Sequence, residues 1–75
     1  MEQQLAAIFR AVFDLADGAD VQGIRQLSFP QWDSLAHVTL IGAVENEFGL
    51  SIDIADSLEL TSFEAILVYL EEHQS

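Results

Sequence analysis

Three stretches of this sequence repeat apolar residues at steps of three and four, and this repeat constrains the fold more than any other feature. Residues 2–16, 34–48 and 62–72 would each place these side chains on one stripe of an α-helix. In a chain of 75 residues, the three stripes have only one another to pack against. The sequence therefore predicts an all-α fold in a single domain over residues 1–75: a small bundle of three main helices plus one short helix near residues 55–60.

Local signals predict where these helices begin and end. Asp17-Gly18 is expected to stop the first helix, because glycine readily adopts the left-handed turn that follows a helix. Asp33 or Ser34 can cap the second helix, and Phe48-Gly49 ends it. The run Thr61-Ser62-Phe63-Glu64 contains a T-x-x-E capping box, which predicts the start of the last helix.

The side chains predicted to be buried lie on the three apolar stripes. They are Leu5, Ile8, Phe9, Val12, Phe13 and Ala16 in the first helix, Leu35, Val38, Leu40, Ile41, Val44 and Phe48 in the second, and Phe63, Ile66, Leu67 and Leu70 in the last. The connection over residues 17–33 is long for a small domain, so its apolar residues are expected to pack against the helices. Residues 23–27 can form one short helical turn within it.

The composition excludes several classes of function. Thirteen acidic residues face two basic ones, which gives a formal charge of -11. Such a charge repels nucleic acid and anionic membrane surfaces and attracts basic patches on partner proteins. The absence of cysteine excludes disulfides, thiolate metal sites and a cysteine nucleophile. The N-terminus lacks the basic region of a secretory signal, and no apolar run approaches the length of about 18 residues that crosses a bilayer. These features predict a soluble, cytoplasmic protein that binds neither nucleic acid nor membranes.

Two other kinds of site fit the sequence poorly. Asp14, Asp17 and Asp20 are three apart and match no EF-hand loop, so we predict no metal site. Ser34 and His37 are also three apart, but a working nucleophile needs an orienting third group and an oxyanion site, which the sequence does not supply. We therefore predict that the protein is not an enzyme and that His37 is a surface residue. His73 is expected to lie at a frayed end without a role.

The tripeptide Asp-Ser-Leu occurs twice, at residues 33–35 and 56–58. Ser34 follows a loop and precedes about four helical turns, whereas Ser57 precedes only a few residues before the next cap. A phosphate group on a serine is favoured at the positive end of a long helix, where free N–H groups and the helix dipole stabilise its charge. Ser34 is therefore the better candidate for such a modification. We predict that Ser57 is an unmodified N-terminal residue of the short helix.

The run Asp33-Ser34-Leu35, with the residues that follow it, resembles the attachment site of the acyl carrier proteins. The later positions in this resemblance are Val38, Ile41, Val44, Glu45, Glu47 and Phe48, and the order of helices and loops over nearly the whole chain is also similar. The resemblance implies an acyl-carrier-like bundle in which a phosphopantetheinyl transferase attaches 4'-phosphopantetheine from coenzyme A to Ser34. The arm of such carriers holds acyl groups as thioesters, which the carrier presents to other enzymes without catalysing a reaction itself.

The resemblance also implies a surface that partners recognise. Its expected residues are Asp33, Leu35, Val38, Glu45, Glu47 and Asp56. The expected partners are acyl-loading and acyl-accepting biosynthetic enzymes with basic docking patches. Gln31 replaces a frequent glycine of the family, and Trp32 is bulky for a fatty acid carrier. Ala36, His37 and Thr39 lie where such carriers tend to place acids. These departures predict a discrete carrier of polyketide or other specialised biosynthesis rather than of fatty acid synthesis.

Two alternative functions and the role of one unusual residue, Gly42, remain open. The chain can instead be a peptidyl or aminoacyl carrier, or an unmodified acidic helical adaptor in which Ser34 only caps a helix. Gly42 lies in the middle of the second predicted helix, where glycine costs about 1 kcal/mol relative to alanine. It can allow close packing of a neighbouring helix, or it can leave room for an acyl chain or a partner side chain.

Overall fold

Four α-helices and one short 3₁₀ turn make up the computed structural model, which describes residues 1–73. The helices are α1 (Glu2–Val12), α2 (Ser34–Phe48), α3 (Ile54–Ser57) and α4 (Phe63–His73), and the 3₁₀ turn spans Gln26–Ser28. No strand occurs among these residues, and one isolated bridge pairs Arg25 with Ser62. Helix α1 packs against both α2 and α4. The predicted all-α small bundle is therefore confirmed.

The core forms where the three long helices meet, and it is rich in aromatic rings. Phe9 is fully buried, with its ring centre 5.1 Å from that of Phe63 and 5.5 Å from that of Trp32, both edge to face. Val21 and Trp32 are buried as well, although both belong to the long connection between α1 and α2. The expectation that this connection packs against the helices is confirmed. Its local turn lies at Gln26–Ser28, so it begins three residues later than predicted and overlaps the last two residues of the predicted stretch 23–27.

Helix α1 ends at Val12, which is earlier than Asp17-Gly18 predicts. Asp14 takes the left-handed conformation (φ 55°), and the Leu15 N–H then donates to the Arg10 carbonyl at 2.8 Å. This is the hydrogen-bond pattern that closes a helix end, and aspartate is one of the few residues that tolerate it. The early turn buries Phe13 and leaves Ala16 exposed. Tertiary contacts of the connection, including two hydrogen bonds from the Arg10 guanidinium to the Ala19 carbonyl, favour this turn.

Helix α2 has the predicted bounds because both of its ends carry strong local signals. The Asp33 carboxylate accepts a hydrogen bond from the Ala36 N–H at 2.9 Å, and Gly49 follows the helix in the left-handed conformation (φ 64°). The predicted buried face, however, is wrong at Leu35 and Val38, which are 77% and 69% exposed. The inner stripe of α2 comprises Ala36, His37, Leu40, Ile41, Val44 and Phe48. The first turn of this inner stripe contains the polar residue His37, so a search for apolar residues alone assigns the wrong side of that turn to the core.

Helix α3 contains Ser57 as its last residue rather than near its start, which corrects the sequence prediction. Helix α4 begins one residue later than the T-x-x-E box indicates. The cap is Ser62, whose hydroxyl accepts from the Ala65 N–H at 3.0 Å, while the Thr61 carbonyl accepts from the Gln26 N–H. The bridge between Arg25 and Ser62 thus determines that Ser62, rather than Thr61, caps α4. His73 lies at the end of α4, and its ring stacks on that of Tyr69.

Candidate functional site

Ser34 is the first residue of α2 and is exposed to solvent. Its hydroxyl makes no hydrogen bond to any residue within 1–73, so no internal contact is lost when the oxygen is modified. The Asp33 carboxylate caps the Ala36 N–H, and the Asp33 carbonyl accepts from the His37 N–H. The N–H groups of Ser34 and Leu35 are left without an acceptor in the described part of the chain.

A phosphate-linked group on Ser34 fits these surroundings. The two free N–H groups and the dipole of the 15-residue helix both favour negative charge at this end. The Asp33 carboxylate opposes that charge, but its Oδ1 is held by the cap. The structure therefore offers an accessible hydroxyl at a helix end that tolerates a phosphodiester, and a covalent bond requires no further binding energy from the protein.

The second Asp-Ser-Leu tripeptide has a different environment. Ser57 is half-buried, and its hydroxyl donates an exposed hydrogen bond to the Ile54 carbonyl at 2.9 Å within α3. The Ser57 carbonyl accepts from the Leu60 N–H at 3.1 Å. Ser57 is therefore engaged in ending a short helix, whereas Ser34 opens a long one with a free hydroxyl. This contrast supports the choice of Ser34 over Ser57 that the sequence suggested.

His37 joins three segments of the chain, contrary to the prediction that it is a surface residue. It is half-buried, and its Nδ1 lies 2.9 Å from the Trp32 indole nitrogen while its Nε2 lies 2.7 Å from the Ser57 carbonyl. An indole N–H only donates, so Nδ1 must accept and Nε2 carries the proton that is donated to Ser57. Both ring nitrogens are used, and His37 does not form a nucleophile–base pair with Ser34.

Four apolar side chains are exposed in two places, the first turns of α2 and the two ends of the α3 segment, and we call them the rim patch. They are Leu35, Val38, Ile54 and Leu58, with 77%, 69%, 80% and 69% of their surface exposed. The His37–Ser57 hydrogen bond brings the two helices together here, because Val38 and Leu58 are chain neighbours of the bonded residues. Clusters of exposed large apolar side chains often mark sites where other molecules bind.

The acidic residues predicted for partner recognition divide into two groups. The Glu45 carboxylate accepts from the Ile52 N–H at 2.7 Å, and the Asp56 carboxylate accepts from the Tyr69 hydroxyl at 3.4 Å. Together with the Asp33 cap, these contacts give three of the predicted residues a local structural role. Glu47 is exposed, as are Leu35 and Val38. Their part in partner recognition stays a prediction.

The Tyr69 hydroxyl, which donates to Asp56 of α3, has a raised pKa. Burial raises the pKa of its hydroxyl above the ordinary value of 10.0, and the charge of Asp56 and the hydrogen bond to that carboxylate raise the pKa further. The more distant charges of Asp53 and Glu45 act in the same direction. Burial and the negative charge around α3 therefore both favour the protonated form of the Tyr69 hydroxyl, which is why its pKa is raised.

The described part of the chain has neither a cluster of metal ligands nor a helix that could span a membrane. Within residues 1–73, no three histidine or carboxylate side chains come close enough together to hold a metal ion. None of the helices there combines the length and the apolar character needed to cross a membrane.

Sequence reasoning missed the bridge from Trp32 through His37 to Ser57, although one signal pointed to it. Extending the stripe of Leu40, Ile41 and Val44 back by one turn reaches His37, which places the imidazole on the inner face. A buried tryptophan also needs an acceptor for its N–H. Nothing in the local sequence, however, indicates that the second ring nitrogen reaches α3.

Comparison of the chain with protein-family models, curated proteins and solved structures gives no match. The functional proposal therefore depends on the geometry of this chain and on the resemblance in its sequence.

Proposed function

We propose that this protein is an acyl carrier that is modified with 4'-phosphopantetheine on Ser34. The observation that carries the proposal is the state of Ser34: an exposed, unbonded hydroxyl on the first residue of the longest helix. The rim patch beside it supplies apolar contact area for partner enzymes. Neither feature is needed for the stability of the fold, and both suit a residue that must be reached by other proteins.

Attachment would use only the groups that the structure exposes. The Ser34 oxygen bonds to the phosphorus of the pantetheine phosphate, its proton passes to a base of the transferase, and 3',5'-adenosine diphosphate leaves coenzyme A. When bound, the arm supplies a terminal thiol that holds an acyl group as a thioester. The protein tethers that group within reach of its partners and so raises its local concentration.

The charge of the chain is consistent with partners that carry basic docking patches. With a formal charge of -11, association with a basic surface is accelerated at low salt and slows as salt is added. We place the carrier in polyketide or another specialised biosynthesis, on the basis of Gln31, Trp32 and His37 in the attachment region. Loading by acyl-transferring enzymes, rather than by an amino-acid-activating enzyme, would distinguish an acyl from an aminoacyl carrier.

The direct test is intact mass spectrometry after incubation with coenzyme A, magnesium and a broad-specificity phosphopantetheinyl transferase. We expect the parent protein to gain one phosphopantetheinyl group and Ser34→Ala to gain none. Ser57→Ala is the matched control, because it changes the other Asp-Ser-Leu and leaves the Ser57 carbonyl in place. It is expected to gain one group, as the parent does. No gain in the folded parent, with a control carrier modified in the same tube, would refute the proposal.

The rim patch favours a second candidate, an unmodified adaptor that binds a basic protein. Its exposed apolar side chains can serve such a partner without any group on Ser34. An adaptor would keep its partner after Ser34→Ala, whereas a carrier would lose all transfer of acyl groups. Val38→Asp would weaken partner binding in both cases, so the serine substitution is the one that separates them.

A further inference from the structure

Helix α3 is held in place without burying any of its own side chains. Its four residues span Ile54–Ser57, and Ile54 is 80% exposed. A helix of one turn is not stable alone, because nucleation costs more than its few hydrogen bonds return. The flanking residues Ile52 and Leu60 reach the core, but they anchor the two ends of the segment rather than the helix itself. The position of α3 therefore depends on these two anchors and on the polar contacts that the helix makes between them.

The shorter of these contacts comes from His37. Its Nε2–H donates to the Ser57 carbonyl at 2.7 Å, at the end of α3. The other polar contact, from the Tyr69 hydroxyl to Asp56, is 3.4 Å long and exposed, which makes it a weak hydrogen bond. His37 thus makes the strongest side-chain contact to α3.

Trp32 in turn fixes the imidazole. Its indole is buried among Phe9 and Phe13, stacks on the His37 ring, and donates its N–H to Nδ1. Because the indole N–H only donates, this bond selects the tautomer whose Nε2 can donate to Ser57. A continuous series of contacts therefore links the aromatic core to α3 through Trp32 and His37. Trp32 precedes Ser34 in the sequence by two residues, and His37 follows it by three.

We propose that His37 is a positioning residue that holds the end of α3 against the first turn of α2, which begins at Ser34, and so pre-assembles the rim patch for the enzyme that modifies the serine. The role for the modifying enzyme rests on the proposed function. The claim that the His37–Ser57 hydrogen bond fixes the position of α3 does not. Without the bridge, α3 would sample other positions, and a partner would have to order Ile54 and Leu58 on binding.

The first experiment measures the hold on α3 without any partner. Amide hydrogen exchange is followed at Leu58, whose N–H bonds to the Ile54 carbonyl only while α3 is formed, and at Val44 in the interior of α2. In His37→Leu, exchange at Leu58 is expected to be about tenfold faster than in the parent. His37→Gln is expected to restore the parent rate, since a flat amide offers one acceptor and one donor. The matched control is Asn46→Leu, which makes a polar-to-leucine change at an exposed position of α2 and is expected to leave exchange at Leu58 unchanged.

A second variant keeps the test decisive if His37→Leu alone destabilises the whole fold. Combining Trp32→Phe with His37→Leu removes both partners of the buried bond, so no indole N–H is left unpaired. In this double variant, exchange at Leu58 is expected to accelerate more than exchange at Val44, because the change at Val44 reports the global stability that is lost with the smaller ring. Unchanged protection at Leu58 there would overturn the inference, as would a glutamine variant that loses protection as much as the leucine variant.

The second experiment measures the attachment reaction. In the double variant, the KM of the transferase for the carrier is expected to rise about tenfold with kcat changed by less than about twofold, because the serine itself is untouched. His37→Gln is expected to return the KM to within about twofold of the parent value. A parent protein that is never modified would refute the proposed function and leave the exchange result standing. Normal KM in a variant whose α3 exchanges freely would refute the link between α3 and the modifying enzyme.

Discussion

Gly42 provides a sharp test of the structure because its surroundings are open. It lies in the middle of α2 on an exposed face, and a Cβ built on it meets no atom within 4 Å. The hypothesis that it allows close packing of a neighbouring helix is therefore wrong. Gly42 shares a face with Leu35 and Val38, at steps of seven and four residues, so space for a partner or an acyl chain stays a prediction.

Gly42→Ala is expected to stabilise the protein by about 1 kcal/mol. Glycine costs this much relative to alanine inside a helix, chiefly because it leaves the unfolded chain more freedom, and no steric contact offsets the gain here. For a domain of this size, the entropy of unfolding converts this gain into a rise of about 6 °C in Tm.

The assay is thermal and urea unfolding followed by circular dichroism, with Gly49→Ala as the matched control. A Cβ at Gly49 also meets no atom within 4 Å, but the φ of 64° there is strained for alanine. The control is expected to lose about 1 kcal/mol, so the two substitutions should have opposite signs.

A Gly42→Ala variant that is no more stable than the parent would refute the open environment of Gly42. The stabilised variant then allows a test of function, since Gly42→Leu extends a larger side chain into the same space. If modification of Ser34 and loading proceed unchanged in Gly42→Leu, the hypothesis that this space serves a partner or an acyl chain fails.

Three further predictions concern stability. The raised pKa of Tyr69 means that the folded protein holds the phenolic proton more tightly than the unfolded chain. The stabilisation that comes from this tighter proton binding is present below about pH 10 and is lost as the pH rises through the folded-state pKa. The Tm should therefore fall more steeply at alkaline pH in the parent than in Tyr69→Phe. Equal slopes of Tm against pH in the two proteins would contradict this prediction. Asp33→Ala is expected to lose about 1 kcal/mol with the cap, while Asp33→Asn keeps most of that stability in urea titrations, because asparagine also caps. A similar loss in both variants would mean that charge, rather than the hydrogen bond, matters. Phe9→Ala is expected to lose roughly 3–5 kcal/mol, measured by the fluorescence of Trp32 during urea unfolding, because Phe9 is fully buried among aromatic rings. A loss below about 1 kcal/mol would contradict its central place in the core.

The sequence was sufficient for features that depend on neighbouring residues. The bounds of α2 follow from Asp33, which caps the first turn, and from Gly49, which tolerates the left-handed turn at the end. Ser34 was placed at the start of that helix by the same signals. These interactions span four residues or fewer, and so they are present in the sequence itself.

Contacts between distant segments decided what the sequence left open. Asp14 ends α1 early because the connection folds back to Arg10, and Leu35 and Val38 are exposed because no segment within residues 1–73 covers them. An apolar stripe states which face of a helix avoids water, but not which part of that face another segment covers. The role of His37 is the clearest case, because its two hydrogen bonds join the core to α3. The sequence by itself determined that the fold is built from helices and that Ser34 begins the longest of them. Only the tertiary structure decided which side chains surround Ser34, because they come from segments that meet only when the chain has folded.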